Sequence, residues 1–323
     1  MSASEVRVNM GCNMQRAGVE KSFQNYISDY DLDDPKVKLK VDHTYRVAEL
    51  CDFIAGDLGM AGYDRDLAWL LGMLHDIGRF EQVRRYHTFR DALSVNHAEL
   101  SGDILFKEGL IERFINVKME TFCENDGSEE QIGLSAGDFC EDAKQKGLTA
   151  ENQEDREHKN RLSVSAADCL LIEKAIRLHN VFALPDDLTE REYRFATVLR
   201  DADKLDILRV NVETPRSAIY GVQEDVFLDS EISDEVYEGI LQCRNLNRDL
   251  IKTPADLMMG HISFVFGLVY PVSVRLMQEQ GCLETVLQFS SRNARTRQQF
   301  AEIRKVVHKY IEERMQTNES VLP

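Results

Sequence analysis

One stretch constrains this chain more than any other. From Trp69 to Leu74 an apolar run at helical spacing leads into His75-Asp76, and Ile77-Gly78-Arg79-Phe80 follow at once. Burying an imidazole and a carboxylate side by side at the end of such a run is costly unless something pairs with both. A metal ion does so, because it accepts imidazole nitrogen and carboxylate oxygen together. A His-Asp dipeptide is common by chance. Its meaning therefore depends on the other histidines and aspartates.

The apolar pattern is helical throughout. Thr44, Val47, Ala48, Cys51, Ile54, Ala55 and Leu58 form one stripe at helical spacing, and His43 lies at its edge, above Val47 and Ile54. Leu67, Leu70, Leu71 and Leu74 point one face of the next helix inward and deliver His75 and Asp76. His97 shares a face with Leu100, Ser101, Ile104 and Leu105, and Ile172, Ala175, Ile176 and His179 share another. Thr189 and Glu192 have the spacing of a capping box, and the helix behind them carries Val198, Asp201, Leu205 and Leu208 on one side. No alternating strand pattern runs longer than a few residues, so the expected fold is all-α. The run Ile262–Val274 is too short to span a bilayer and reads as a buried helix, although it contains Pro271.

Five helical segments thus aim His43, His75-Asp76, His97, His179 and Asp201 at the interior. A lone inward histidine is usually a satisfied core residue. Four of them together with two inward carboxylates need a shared partner, and a metal centre supplies one.

Composition narrows the partners. The 323 residues carry a formal net charge of -17, which repels nucleic-acid backbones at long range, so no long nucleic acid is expected as substrate. Seven cysteines include no CxxC pair, which argues against a zinc ribbon or a dithiol redox motif. Their odd number, with no signal peptide, suggests a cytoplasmic protein with no membrane partner. Residues 1–20 read as a loose N-terminus. Residues 119–160 are acidic, interspersed with Gly and Ser, and read as an insertion. Residues 21–215 are then the metal-binding domain, and 216–323 a helical extension packed on it.

The segments VDHTYRVAEL, LLGMLHDIGRFE, VNHAELSGDIL, AIRLHN and RDADKLDIL together resemble the HD-domain superfamily of metal-dependent phosphohydrolases, over roughly residues 37–210. The resemblance implies that His43, His75, Asp76 and Asp201 hold a first metal. His97 and His179 match the extra histidines of members with two metals, with Asp76 bridging. The ligand types suit one or two divalent ions such as iron or manganese. The implied reaction is hydrolysis of a small phosphorylated molecule, a phosphomonoester or phosphodiester with a nucleotide as one candidate, by a metal-activated hydroxide. No Gly-Tyr-Pro follows His97, which speaks against cyclic dinucleotides. No carboxylate pair follows the His-Asp, which speaks against alarmone hydrolysis.

Arg79, next to the metal pair, and Lys204 are candidates for binding the substrate phosphate. His87, among Arg84, Arg85 and Arg90, is a candidate proton donor to the leaving group. His261 reads as buried and hydrogen-bonded, and His158 and His308 as solvent residues. Two other readings share the same residues. One is a di-iron oxygenase of the same fold, and the other is a nucleotide-binding sensor without catalysis.

Overall fold

The computed structural model describes residues 3–118 and 161–319. The expected acidic insertion, 119–160, and His158 lie outside the described residues. Among the described residues the chain is helical apart from two four-residue strands, as an all-α protein requires. It divides into two compact units. One comprises Met1–Tyr26 with Leu110–Leu170, and the other Ile27–Gly109 with Leu171–Pro323.

In the first unit, helix α1 (Ala3–Ile27) covers the segment expected to be loose. The apolar residues of that segment show no helical period in the sequence, so periodicity gives no signal there. Val19 and Phe23 are buried, and Ser22 Oγ donates to Arg113 O at 2.8 Å. Strands β1 (Ile115–Lys118) and β2 (Leu162–Ser165) pair in parallel, with Ile115 opposite Leu162.

The second unit holds every histidine and aspartate of the expected constellation. Helix α2 (Pro35–Asp57) starts cleanly: the Asp34 side chain accepts from Lys36 N, and Pro35 takes a first-turn position where its missing N–H costs nothing. Helix α3 (Tyr63–Leu74) packs along α2. A Cβ at Gly72 would lie 2.4 Å from Ala48 Cα, so the two backbones touch there. Helix α4 (Ile77–Tyr86) follows after a break of two residues. These are His75, the C-cap of α3, and Asp76, the N-cap of α4 at φ -107° and ψ 19°. The His-Asp pair is therefore the joint between two helices, and both residues are buried there. Helix α5 (His97–Gly102) crosses α4 equally closely: a Cβ at Gly78 would fall 2.6 Å from Ser101 N.

Helix α6 (Ala166–Arg177) ends just before His179. Helix α7 (Glu190–Glu213) opens with the expected capping box of Thr189 and Glu192 and packs on α2 and α3. The chain beyond it forms helices α8 (Arg216–Tyr220), α9 (Glu224–Asp229), α10 (Asp234–Leu241), α11 (Pro254–Ile262), α12 (Pro271–Gln280), α13 (Cys282–Leu287) and α14 (Ala294–Glu319). Helix α13 packs on α7, and α14 packs on α10 and α12.

The stretch 262–274 departs from the expected single buried helix. Helix α11 stops at Ile262, a 3-10 turn covers Ser263–Gly267, and α12 begins at Pro271. Proline has no N–H to continue a helix, and it suits the first turn of the next one. Among the described residues no helix is long and apolar enough to cross a membrane.

The backbone contact at Gly72 sets the spacing between α2 and α3. Gly72→Ala is expected to lower unfolding stability by about 1–3 kcal/mol through overpacking, read as a fall in the urea midpoint. A midpoint equal to wild type would contradict the close packing.

Candidate metal centre

The four histidines are oriented by the same device. Each ring uses Nδ1 on a fixed partner and turns Nε2 towards the Asp76 carboxylate. His75 Nδ1 donates to Gly72 O at 2.8 Å, and His179 Nδ1 to Ile176 O at 2.7 Å. A carbonyl can only accept, so these two rings carry their proton on Nδ1 and leave Nε2 bare. His97 Nδ1 lies 2.7 Å from Asp91 Oδ2, and His43 Nδ1 2.6 Å from Asp206 Oδ2. Arg46 grips Asp206 in turn, Nε to Oδ1 at 2.6 Å and Nη2 to Oδ2 at 3.1 Å.

The Nε2 atoms fall into two groups, one at each oxygen of Asp76. At Oδ2 are His43 Nε2 and His75 Nε2, both at 3.5 Å, and these two nitrogens are 3.3 Å apart. Asp203 Oδ1 completes this group, 3.2 Å from His43 Nε2 and 3.8 Å from His75 Nε2. At Oδ1 are His97 Nε2 at 3.6 Å and His179 Nε2 at 3.8 Å, with 3.0 Å between them. Two ligands held about 2.1 Å from one ion, at tetrahedral or octahedral angles, lie about 3.0–3.4 Å apart. The spacings within both groups are close to that. Asp76 Oδ1 is buried and has no hydrogen-bond partner among the described residues. His179 Nε2 and His97 Nε2 face each other at 3.0 Å with no proton of their own between them. A cation between them resolves both conflicts, so the residues present fit one ion in each group.

The electrostatics agree. Burial holds His75 down to about 4 and His97 down to about 3, the latter helped by Arg79. Burial lowers His179 as well. All three rings are therefore neutral near neutral pH, as metal ligation requires. Burial opposes the charged forms of Asp76 and Asp203, yet neighbouring cationic and imidazole groups pull both well below the ordinary carboxylate range. Lys40 is foremost for Asp76, and His43 for Asp203. For His43, burial and Lys40 disfavour charge, but Asp203, Asp206 and Asp76 outweigh them and raise it to about 10. Three carboxylates around one ring call for a cation there, and a divalent ion can displace the proton that otherwise serves.

Of the expected ligands, the structure brings together His43, His75, Asp76, His97 and His179. It does not bring Asp201 with them. The Asp201 carboxylate accepts from Val269 N at 2.9 Å and from Tyr270 N at 3.1 Å. It thereby satisfies the backbone where α12 begins at Pro271, and burial raises its pKa. Asp203 takes the position expected of Asp201. Asp201 does point inward, but α7 is buried on nearly all sides from Phe195 to Ala202, so inwardness alone does not single out the carboxylate that joins the cluster. A usable signal was present: Leu199, Asp203 and Asp206 follow i, i+4, i+7 spacing. Asp203 and Asp206 are the two that meet His43 of α2.

Arg79 is 12% exposed beside the cluster. Its Nη1 donates to Gln82 Oε1, Phe89 O and Asp91 Oδ1, and its Nη2 lies 3.2 Å from His97 Nε2. Lys204 donates to Gly267 O at 2.5 Å, and burial lowers it to about 8. Both line a cavity of about 310 Å³ that opens over the cluster. His87 does not line it. It is an exposed, left-handed residue (φ 53°) closing α4, and its carbonyl accepts from Lys36 Nζ. Lys40 has no counterpart among the residues singled out in the sequence. One helical turn before His43, it donates to Asp76 Oδ2 at 2.6 Å. His261 is hydrogen-bonded to Asn211 and Tyr220 away from the cluster, and His308 pairs with Glu284 at the surface.

The family model described as HD domain matches residues 41–208, more than half of the 323 residues. The chain belongs to the HD domain family, whose members are generally metal-dependent phosphohydrolases. Neither the search of curated proteins nor that of solved structures returns a match.

Elemental analysis of the purified protein separates the two aspartates. Asp203→Ala is expected to lose at least half of the bound divalent metal. Asp201→Asn should keep its metal and lose about 1–3 kcal/mol of stability, the cost of disturbing a buried acceptor. The reverse pattern would return Asp201 to the ligand set.

Proposed function

We propose that the protein hydrolyses a phosphoester of a small molecule at this centre. One observation carries the reading. In a chain with net charge -17, the cavity over the histidine-aspartate cluster is lined by Lys40, Arg79, Arg200, Lys204 and Arg248. Cationic groups gathered above a site fit for two divalent ions suit an anionic substrate with its phosphoryl group at the cluster.

Divalent ions bound there supply an acidified water as nucleophile and neutralise charge that grows on the phosphoryl oxygens. The chain's own residues set the geometry. Asp206, held by Arg46, and Asp91, held by Arg79 and Gln82, fix the rings of His43 and His97. Such partners keep a ligand's tautomer and raise its basicity. Arg200 donates to the carbonyls of Leu178, His179 and Phe182 and so fixes the turn that presents His179. Lys40 and Arg79 lie over the ring of Phe89, at 5.5 and 5.7 Å from its centroid. This places two cations beside Asp76, where a phosphoryl group would meet them.

The opposite wall comes from the chain beyond the family match. Asn245 to Asp249 and Phe264 line the cavity, and Arg248 reaches Asp91 Oδ2 at 3.1 Å. This wall, with Val181, Phe182 and Ile207, gives the organic part of the substrate mixed apolar and amide surface. Nucleotides belong on the substrate panel, together with phosphosugars and other small phosphoesters.

Phosphate release from such a panel, under nitrogen with manganese alone, tests the reaction. Wild type is expected to cleave at least one ester. Asp76→Ala should lower the rate about a thousandfold or more, as several kcal/mol of transition-state stabilisation are lost. Activity that requires oxygen, or that survives Asp76→Ala, would refute the reading. With the cleaved ester in hand, Lys204→Met should lower kcat/KM by about tenfold to a hundredfold, mainly through KM, the worth of one charged hydrogen bond. An unchanged KM would remove Lys204 from the substrate site.

A further inference from the structure

We propose that Arg79 is a built-in counter-cation of the second metal position, the one formed by Asp76 Oδ1, His97 and His179. It holds that position at low affinity until an anionic substrate draws the guanidinium away, so that loading of the second ion and binding of the phosphoryl group are coupled. The proposal rests on the phosphoester reading for the identity of the anion.

The two arms of the guanidinium do different things. Nη1 is anchored three times, to Gln82 Oε1 at 2.7 Å, Phe89 O at 2.6 Å and Asp91 Oδ1 at 3.1 Å. Nη2 donates to His97 Nε2 at 3.2 Å. Nε lies 3.6 Å from Asp76 Oδ1 and is itself buried without a hydrogen-bond partner among the described residues. His97 has already committed Nδ1 to Asp91. Its Nε2 lone pair is the only one left, and the arginine and a metal ion cannot both use it. The arginine also faces the one carboxylate oxygen of this group.

The first position differs. It has two carboxylates, Asp76 Oδ2 and Asp203, around His43 and His75. Lys40 donates to Asp76 Oδ2 at 2.6 Å, but among the described residues no cationic side chain is seen donating to the Nε2 atoms of His43 and His75. Each position thus meets one fixed cation, but the first is richer by the Asp203 carboxylate, and only in the second does the cation take the lone pair of an imidazole nitrogen. Arg79 lines the cavity, so an incoming phosphoryl group can take the fork that now spans His97 and the 82–91 segment. Linkage then requires reciprocity: an anion that recruits Arg79 tightens the second ion, and the second ion tightens the anion by the same factor.

Calorimetric titration of the metal-free full chain with Mn²⁺, with and without inorganic phosphate, tests this, with electron spin resonance counting the bound ions. Wild type is expected to show one tight and one weak site, and phosphate should tighten the weak one about tenfold. In Arg79→Gln the weak site should tighten about tenfold without phosphate, and the effect of phosphate should shrink. Arg79→Lys keeps the charge but cannot hold Gln82 and His97 at once, and it should fall between the two. A second site that is unchanged or weaker in Arg79→Gln overturns the proposal, because an arginine that merely props Asp91 and His97 predicts that result. A wild-type second site indifferent to phosphate overturns the coupling. None of these readouts needs turnover. If the shifts appear but no phosphoester is cleaved, the hydrolase reading fails alone. If esters are cleaved but the shifts are missing, only this proposal fails.

Discussion

The carboxylate of Asp76 has two oxygens facing two different pairs of imidazole nitrogens, and most of the second unit serves to keep it there. The contact is unfavourable by itself. The Nε2 lone pairs of His97 and His179 meet at 3.0 Å, and Asp76 Oδ1 is buried without a hydrogen-bond partner among the described residues. Packing alone would relax such a cluster, since an unpaired buried polar group costs about 1–3 kcal/mol. The fold holds it by backbone contacts that cannot yield: α2 against α3 at Gly72, and α4 against α5 at Gly78. Carboxylates behind His43 and His97 and carbonyls behind His75 and His179 then remove the rings' freedom to turn. A site so constrained fits a cation as the missing partner.

Charge is arranged in layers around this point. Carboxylates stand within and behind the histidine cluster, cationic side chains line the cavity above it, and the chain as a whole is acidic. Lys40 and Arg79 are drawn to Asp76 and Asp91 by the same field that would draw metal ions. They sit where an anionic substrate would meet the centre. The net charge of -17 therefore says little about the cavity, where the local sign is reversed.

Much of the candidate centre was legible in the sequence because the residues it brings together follow helical stripes. His43, His97 and His179 each stand on or just beyond an apolar face, and His75-Asp76 end one. Asp201 misled because α7 is buried on almost every side, so inwardness does not distinguish the carboxylate that meets His43 from the one that caps the start of α12. The same interaction explains the broken helix at 262–274: Pro271 needs a start signal, and Asp201 supplies it from another helix. A long-range partnership of this kind leaves no periodic trace. Lys40 was missed for a related reason, since a lysine one turn before a ligand looks like any solvated lysine until Asp76 is placed beside it. The residues from Asn245 to Asp249 form a cavity wall only through tertiary packing, which no local pattern encodes.

The most direct test of the central claim is a crystal structure of the metal-loaded protein with anomalous scattering recorded at the absorption edge of its metal. Two peaks are expected, one on each side of Asp76. The first should lie about 2.0–2.2 Å from nitrogens of His43 and His75 and an oxygen of Asp203, and the second at the same distance from His97 and His179. Peaks at Asp201, or no ion touching Asp76, would contradict the account.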